Sequence, residues 1–188
     1  MRWAELGDER CSVARTVAVL GDRWTLLILR DCFLRIRRFD DFEARLGITR
    51  HILANRLRKL VDADILTKVP YNDRPVRYEY RLTPKGLDLY PVLLSLAHWG
   101  DIHAAGKAGR PVLRLHLPCG RTFDPVMTCS ECGEAIDPRQ VRLLPGPGAG
   151  RKPRQIQAVL GNLNAGEYQA DNGTLKLIAS PRRGGSAG

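Results

Sequence analysis

The stretch RRFDDFEARLGITRHILANRLRKLVDADILTKVPYNDRPVRYEYRLTPKG, residues 37–86, decides the fold. It opens with a short apolar stripe, Phe39, Phe42 and Leu46, closed by Gly47. Thr49 then caps a longer helix in which Leu53, Leu57, Leu60 and Val61 recur at helical spacing and face inward. At about 100° per residue the opposite face carries His51, Asn55, Arg58 and Lys59, with Arg50 at the amino end. Two strands follow: Ile65–Val69, and a second in which Val76, Tyr78, Tyr80 and Leu82 alternate with Arg77, Glu79 and Arg81. Between them Pro70–Pro75 reads as a turn-rich tip bearing Arg74. A short helix, a tight turn, a cationic helix and a basic-tipped hairpin are the parts needed to set one helix into the major groove of duplex DNA and clamp the flanking backbone with a wing. Taken alone, the cationic helix also reads as a solvated surface helix, and Arg74 as a solvated loop residue.

Working outward, Ser12 caps a first helix that runs to Leu20 and ends at Gly21. Asp22 caps the next, with Trp24, Leu27, Ile28 and Cys32 as its core face. Arg35, Arg37 and Arg38 form a basic link into the quoted stretch. Beyond that stretch, Thr83-Pro84 is a cap followed by proline in the first helical turn. The helix it starts carries Leu89, Val92, Leu93, Leu96 and Trp99, with Pro91 threatening a kink. This stripe suits a dimer face or packing within the subunit; the residues leave both open.

The bulk numbers point the same way. The chain has 188 residues, 44% of them hydrophobic, with 30 Lys+Arg against 20 Asp+Glu and a net charge of +10. Of the 30 basic residues 24 are Arg, the side chain better shaped for forked contacts to phosphate and guanine. A polyanion such as DNA fits this excess, though a merely soluble basic protein has it too. There is no run of 18 apolar residues and no signal-peptide pattern, so a cytoplasmic protein, on the bacterial nucleoid, is expected. No internal repeat is evident. No Gly-rich phosphate loop or catalytic constellation appears, so no enzyme is expected. His98 and His103, on or beside the long helix, read as interface residues rather than ligands.

Composition shifts near Ala104, and the chain reads as a DNA-binding and dimerisation domain over 1–104, a Cys/His segment over 110–145, and a linker with a basic, partly disordered C-terminal region over 146–188. The last includes the basic Arg151–Arg154. It also includes a hairpin turned at Asn172-Gly173, with Thr174–Ala179 as its second strand, and a disordered Ser180–Gly188. The five cysteines are 11, 32, 119, 129 and 132. His116-Leu117-Pro118-Cys119-Gly120 and Cys129-Ser130-Glu131-Cys132-Gly133 are each a ligand-x-x-ligand pair followed by glycine. Three sulfurs and an imidazole fit a structural zinc ion, Zn2+, with no open position. A disulfide from Cys119 to Cys129 or Cys132, free thiols, or a strand over Val112, Leu113, Leu115 and Leu117 that takes His116 with it are the alternatives. The fold class is therefore mainly α with a β-hairpin wing, a winged helix-turn-helix, plus a small C-terminal β-rich, zinc-knuckle segment.

The motifs Cys11-Ser12-Val13-Ala14-Arg15, Gly21-Asp22-Arg23-Trp24-Thr25-Leu26-Leu27-Ile28-Leu29-Arg30, Arg38-Phe39-Asp40-Asp41-Phe42, Leu53-Ala54-Asn55-Arg56-Leu57-Arg58-Lys59-Leu60, Tyr78-Glu79-Tyr80-Arg81-Leu82-Thr83-Pro84-Lys85-Gly86 and Trp99-Gly100 occur in this order. Together, over residues 11–103, they resemble the HxlR family of MarR-like bacterial winged-helix regulators. The resemblance implies a homodimer on a double-stranded, two-fold-related operator, with the Thr83–His103 helix helping to build the interface. It implies that Arg50, His51, Asn55 and Arg58 approach the major groove and that Arg56 partly braces the helix. Thr49, Lys59, Arg38, Arg74 and Arg77 complete the expected DNA-binding set. Cys11 matches a cysteine that some relatives use to sense quinones, aldehydes or hypochlorous acid; it also reads as a buried packing cysteine. Two departures stand out: Ser12 where the family usually has Pro, and Asp64 where it usually has Gly. The expected function is a sequence-specific transcriptional regulator, dimeric and responsive to electrophiles, oxidants or a small ligand. The alternative is a winged-helix protein–protein interaction module with a structural zinc site.

Overall fold

In the computed structural model, which describes residues 3–144, 146–149, 167–171 and 174–179, apolar spacing and capping place four helices ahead of the first strand. A 3-10 helix, Trp3–Asp8, precedes α1 (Ser12–Leu20), α2 (Arg23–Phe33), α3 (Phe39–Leu46) and α4 (Arg50–Asp62). Asp22 accepts from the amides of Trp24 and Thr25 at the start of α2. Gly47, at φ 62°, ends α3 in the left-handed conformation that lets the chain turn sharply into α4. Thr49 accepts from the Ile52 amide there. The expected cap of α1 differs: Cys11 occupies that position, extended at φ −81° and ψ 119°, with no side-chain cap bond, and Ser12 is already helical.

Phe42, Ile28, Leu29, Leu53, Leu57, Leu60 and Leu66 are fully buried and form the core where α2, α3, α4 and β1 meet. Each such side chain contributes about 1.5–3 kcal/mol by leaving water, enough to fix the α3–turn–α4 geometry. Leu29 lies in this core where the sequence stripe named Leu27, which is half-buried. Asp31, with 0% exposure, sits at the same depth, and Arg30 and Arg45 close over it at 2.9 and 3.3 Å. That pairing joins α2 to α3 and satisfies a charge that would otherwise be costly to bury.

β1 (Leu66–Asp73) and β2 (Val76–Leu82) form an antiparallel pair running from Leu66↔Leu82 to Asp73↔Val76, with a bulge between Pro70 and Asn72. The expected loop over Pro70–Pro75 is thus mostly strand, and the turn shrinks to Arg74-Pro75, steadied by Asn72 Nδ2 donating to Pro75 O at 2.8 Å. Pro70 is tolerated because β1 is an edge strand, where a missing amide faces no partner. The other edge of β2 takes residues 37–38, through an Arg38↔Glu79 bridge and the Tyr80 amide donating to Arg37 O at 2.8 Å. Tyr80 and Leu82 reach the core, whereas Val76 and Tyr78 are exposed, so the expected half-buried alternation holds only at the base and the tip projects as a wing.

Asp64 takes φ 56° at the turn from α4 into β1, the left-handed conformation that glycine adopts at least cost and Asp tolerates better than most residues. The expected long helix after Thr83 is two: α5 (Pro84–Leu87) and α6 (Tyr90–His103). Proline lacks the amide a continuous helix would need and its ring crowds the preceding turn, so Pro91 starts α6 instead of kinking a longer rod.

The chain divides into two compact units, Met1–Val126 and Met127–Gly188. At the end of the first, β3 (Leu115–His116) pairs with β4 (Arg121–Thr122), and Val112, Leu113 and Leu117 stay outside any strand. The second holds a Thr128↔Ala135 bridge and an antiparallel pair, β5 (Glu167–Asp171) with β6 (Thr174–Ala179), the second strand as expected; Asn172-Gly173 lie outside the described residues. The Leu115↔Thr122 pairing of β3 with β4 has a counterpart in the Thr128↔Ala135 bridge, seven positions apart in each case. Arg151–Arg154 and Ser180–Gly188 lie outside the described residues. Among those residues no helix is long and apolar enough to cross a membrane.

Candidate nucleic-acid interface

The site is built on α4. Its Leu53, Leu57 and Leu60 lock one face into the core, which turns His51, Arg58 and Lys59 outward and exposed, with Asn55 half-buried beside them. Arg56, the next residue on the helix flank, does something else. Its Nε and Nη2 reach the two carboxylate oxygens of Asp22 at 2.8 and 2.9 Å, and its Nη1 donates to Asn55 Oδ1 at 2.9 Å. Asp22 is also the cap of α2, so one carboxylate ties the start of α2 to the middle of α4. The Arg56 guanidinium holds the Asp22 carboxyl below its ordinary value, and Asp22 raises Arg56 in return.

Arg50 is exposed but engaged. Its guanidinium lies 4.7 Å above the Phe39 ring and bonds to Asp40 at 3.3 Å and Glu43 at 2.5 Å, all on α3. It therefore seals the α3–α4 turn as well as standing at the amino end of α4. His51, Arg58 and Lys59 have no side-chain partner among the described residues, and neither do Arg74 and Arg77 on the wing. Arg38, the exposed residue at the start of α3, stacks on the wing residue Tyr71 at 4.6 Å, and Lys68 stacks on Tyr78 at 4.1 Å. These contacts line the wing with positive charge held by aromatic faces. Arg81 is spent on Glu79. Asp31 and the Arg38–Tyr71 stack escaped the sequence reading. A carboxylate falling between two core positions of α2 was the one available signal for the first, and the second needs the wing folded back beside α3.

Cys11 is exposed at the start of α1, and Cys32 is buried, which pushes its thiol up to about 12. All five cysteines are free. In the first unit His116 Nδ1 lies 3.3 Å from Cys119 Sγ. In the second, Cys129 and Cys132 share one turn, where the Cys132 and Glu131 amides hold the Cys129 thiol below its ordinary value. Among the described residues no three His, Cys, Asp or Glu side chains are gathered as a ready metal site.

Comparison with known proteins agrees with this geometry. The HxlR-like helix-turn-helix family model matches residues 19–107. A helix-turn-helix type transcriptional regulator of Mycobacterium tuberculosis is 44% identical over 137 residues, spanning 73% of this chain and 87% of the relative. The chain belongs to the HxlR-like helix-turn-helix family. Solved structures extend the match: PA1607, a candidate transcription factor, superposes with a TM-score of 0.67 at 32% identity, over 73% of this chain and 96% of that one. PA1374 of Pseudomonas aeruginosa, another candidate transcription factor, superposes at 0.55 and 35% identity, over 78% and 99%. As an HxlR-like protein the chain is a transcriptional regulator of the helix-turn-helix type, with α3 and α4 as the paired helices and β1–β2 as the wing.

Proposed function

We propose that this HxlR-like regulator binds a two-fold-related DNA operator as a homodimer, reading it with α4. The observation that carries the reading is the division of labour on α4: a buried Leu stripe, a flank tied to Asp22, and an outer face left to donors without side-chain partners among the described residues. On this reading Asn55 and Arg58 meet base edges and His51 stands beside them in the major groove. Thr49, Lys59 and Arg38 meet phosphates, and Arg74 and Arg77 at the wing reach the adjoining backbone or minor groove. Arg50 contacts DNA from its perch on α3, with Asp40 and Glu43 setting its direction.

Dimerisation falls to α6. No residue of this helix is buried, although Val92, Leu96, Trp99 and Ile102 are all large and apolar. Leu89 and Leu93 pack on the core, so the remaining stripe faces outward, and α1 adds exposed Val13 and Val17. Such an apolar surface fits a second copy, which also supplies the two-fold symmetry an operator reader needs.

The response to an effector falls to the start of α1. Cys11 is exposed there, at the N-cap of α1 and with no side-chain cap bond, so a thiol-directed reagent can reach it. An apolar groove of about 310 Å³, lined by Val19, Leu20, Ile65 and Leu89 with Arg15 and Lys85 among its polar residues, lies along the same helix and suits a small apolar ligand.

The test is selection of binding sites from random duplex DNA followed by gel shifts. A palindromic site bound with a steep salt dependence is expected, and affinity for it that drops when the protein is treated with a thiol-specific electrophile. Equal affinity for selected and random duplexes would remove the operator reading; an unchanged affinity after alkylation, or in Cys11→Ser treated alike, bears on Cys11 alone.

A further inference from the structure

Asn55 stands opposite the buried Leu53, Leu57 and Leu60 of α4 and is half-buried, with exposed Arg58 and Lys59 on the same face. The two ends of its amide are not equivalent. Oδ1 accepts from Arg56 Nη1 at 2.9 Å. A guanidinium has donors only, so the amide can face it only with its oxygen. Nδ2 has no partner among the described residues, and it is not buried: among those residues the buried side-chain nitrogen or oxygen without a partner is His98 Nδ1. The donor end of Asn55 is thus the end left open to solvent.

This orientation is held from another helix. Arg56 cannot swing away without giving up the other bonds of its guanidinium, Nε to Asp22 Oδ1 at 2.8 Å and Nη2 to Asp22 Oδ2 at 2.9 Å. Asp22 is fixed in turn, because its Oδ1 also accepts from the amides of Trp24 and Thr25 at 3.0 and 3.3 Å. The side chains of Arg56 and Asp22 are 23% and 34% exposed, so water competes only in part for these bonds. A chain of hydrogen bonds therefore runs from the backbone at the start of α2, through Asp22 and Arg56, to the oxygen of Asn55.

That chain bears on which base Asn55 can read. An asparagine that recognises adenine uses both ends of its amide, accepting from N6 at Oδ1 and donating to N7 from Nδ2. Here the N6 amine would have to share an oxygen already taken by a guanidinium. Guanine makes no such demand, since its major-groove edge carries the acceptors N7 and O6 and no donor. Thymine offers one acceptor beside a methyl group, and cytosine a donor. We propose that Asp22 and Arg56 hold Asn55 as a donor-only reader, which selects guanine over adenine at the base it meets. Asn55 is then the specificity-determining residue, and Arg56 and Asp22 are positioning residues that act through it. The inference rests on α4 as the reading helix and adds the base edge which that helix is set to meet.

The experiment uses the full-length protein and the duplex it selects from random DNA. Asn55→Ala should flatten the base preference at one position of each half-site, and that position should carry guanine in the wild-type selection. Exchange of that guanine for adenine should weaken wild-type binding about tenfold. Exchange for 7-deazaguanine, in which a C–H replaces the N7 acceptor, should weaken it as well, and neither exchange should matter to Asn55→Ala. Arg56→Met keeps an unbranched stem and removes the donors, so Oδ1 is released. Adenine should then become as acceptable as guanine at that position, while the other positions keep their preferences; a helix merely loosened would lose discrimination everywhere. If Arg56→Met fails to fold by circular dichroism, the base exchanges in wild type and Asn55→Ala still decide. Adenine at the Asn55 position, no position that answers to Asn55→Ala, or an unchanged guanine preference in folded Arg56→Met overturns this inference and leaves α4 as the reading helix. Failure to select any operator overturns both.

Discussion

Arg56 grips both carboxylate oxygens of Asp22 across 34 positions of sequence, and that pair ties the middle of α4 to the start of α2. The same carboxylate caps α2, so one side chain satisfies orphan amides and a guanidinium together. Arg56→Ala leaves the cap but strips the charge partner, and should cost about 1–2 kcal/mol, between an exposed and a buried pair. Asp22→Asn keeps a cap oxygen and loses the charge. Because Arg56 lowers the Asp22 carboxyl below its ordinary 3.8, the pair's contribution is complete above that pH and is lost as pH falls through the folded-state value. The stability difference between wild type and Asp22→Asn, from urea melts, should be constant above pH 4 and shrink below it. A difference that grows toward acid contradicts the assignment.

Gly86 bears on the joint between α4, β1 and α5. A Cβ there would stand 2.2 Å from the Ile65 carbonyl oxygen and 3.0 Å from Leu82. That carbonyl already accepts from the Thr83 amide at 3.1 Å, and Lys85 Nζ donates to Ala63 O at 2.7 Å, so the backbone has little room to yield. Gly86→Ala should destabilise by about 1–3 kcal/mol, as overpacking does, with the midpoint of thermal unfolding as readout. An unchanged midpoint would mean that the joint relaxes freely.

The parts of this fold that were legible in the sequence are those decided locally. The Phe39, Phe42, Leu46, Gly47 pattern and the Thr49 cap gave α3 and α4 with their bounds, because spacing, cap and left-handed glycine all act within a few residues. What was not legible depends on contacts between distant segments. Whether Pro70–Pro75 is loop or strand is decided by pairing with β2, so the tip looked longer than it is. Whether Arg50 is a free donor depends on Asp40, Glu43 and Phe39 being across the turn. Pro91 signalled an interruption but not its form, since a kink and a restarted helix share the same missing amide. The likeness of the two Cys/His turns lies in their hydrogen bonds, where the residues themselves show little repetition.

α6 offers a test of assembly that does not involve DNA. Trp99 is 62% exposed and stacks on His103 at 5.1 Å, and Leu96 is open beside it. Neither contributes to the core, so a charge placed there changes the surface without opening the fold. Trp99→Asp with Leu96→Glu should convert a dimer to a monomer in light scattering while leaving the thermal midpoint of the domain near that of the parent. A dimer that survives both substitutions would move the interface off this face.

Arg50 and Arg58 should behave differently on DNA although both are exposed arginines on α4. Arg58 has no side-chain partner among the described residues, which leaves its donors to a base edge, and Arg58→Ala should cost about 1–3 kcal/mol on the selected operator and far less on random duplex. Arg50 must share its guanidinium with Asp40 and Glu43, which neutralise part of its charge before DNA arrives. Arg50→Ala should therefore lose less specific affinity and also loosen the α3–α4 turn, visible as a lower thermal midpoint. Lys59→Ala, at a phosphate position, should weaken selected and random sites alike and reduce the salt slope by about 0.9. Titrations at several salt concentrations on both duplexes separate the three. If Arg50→Ala abolished discrimination while Arg58→Ala left it intact, the carboxylate clamp would be a device that aims Arg50 at a base, and the reading head would lie at the amino end of α4 instead of its middle.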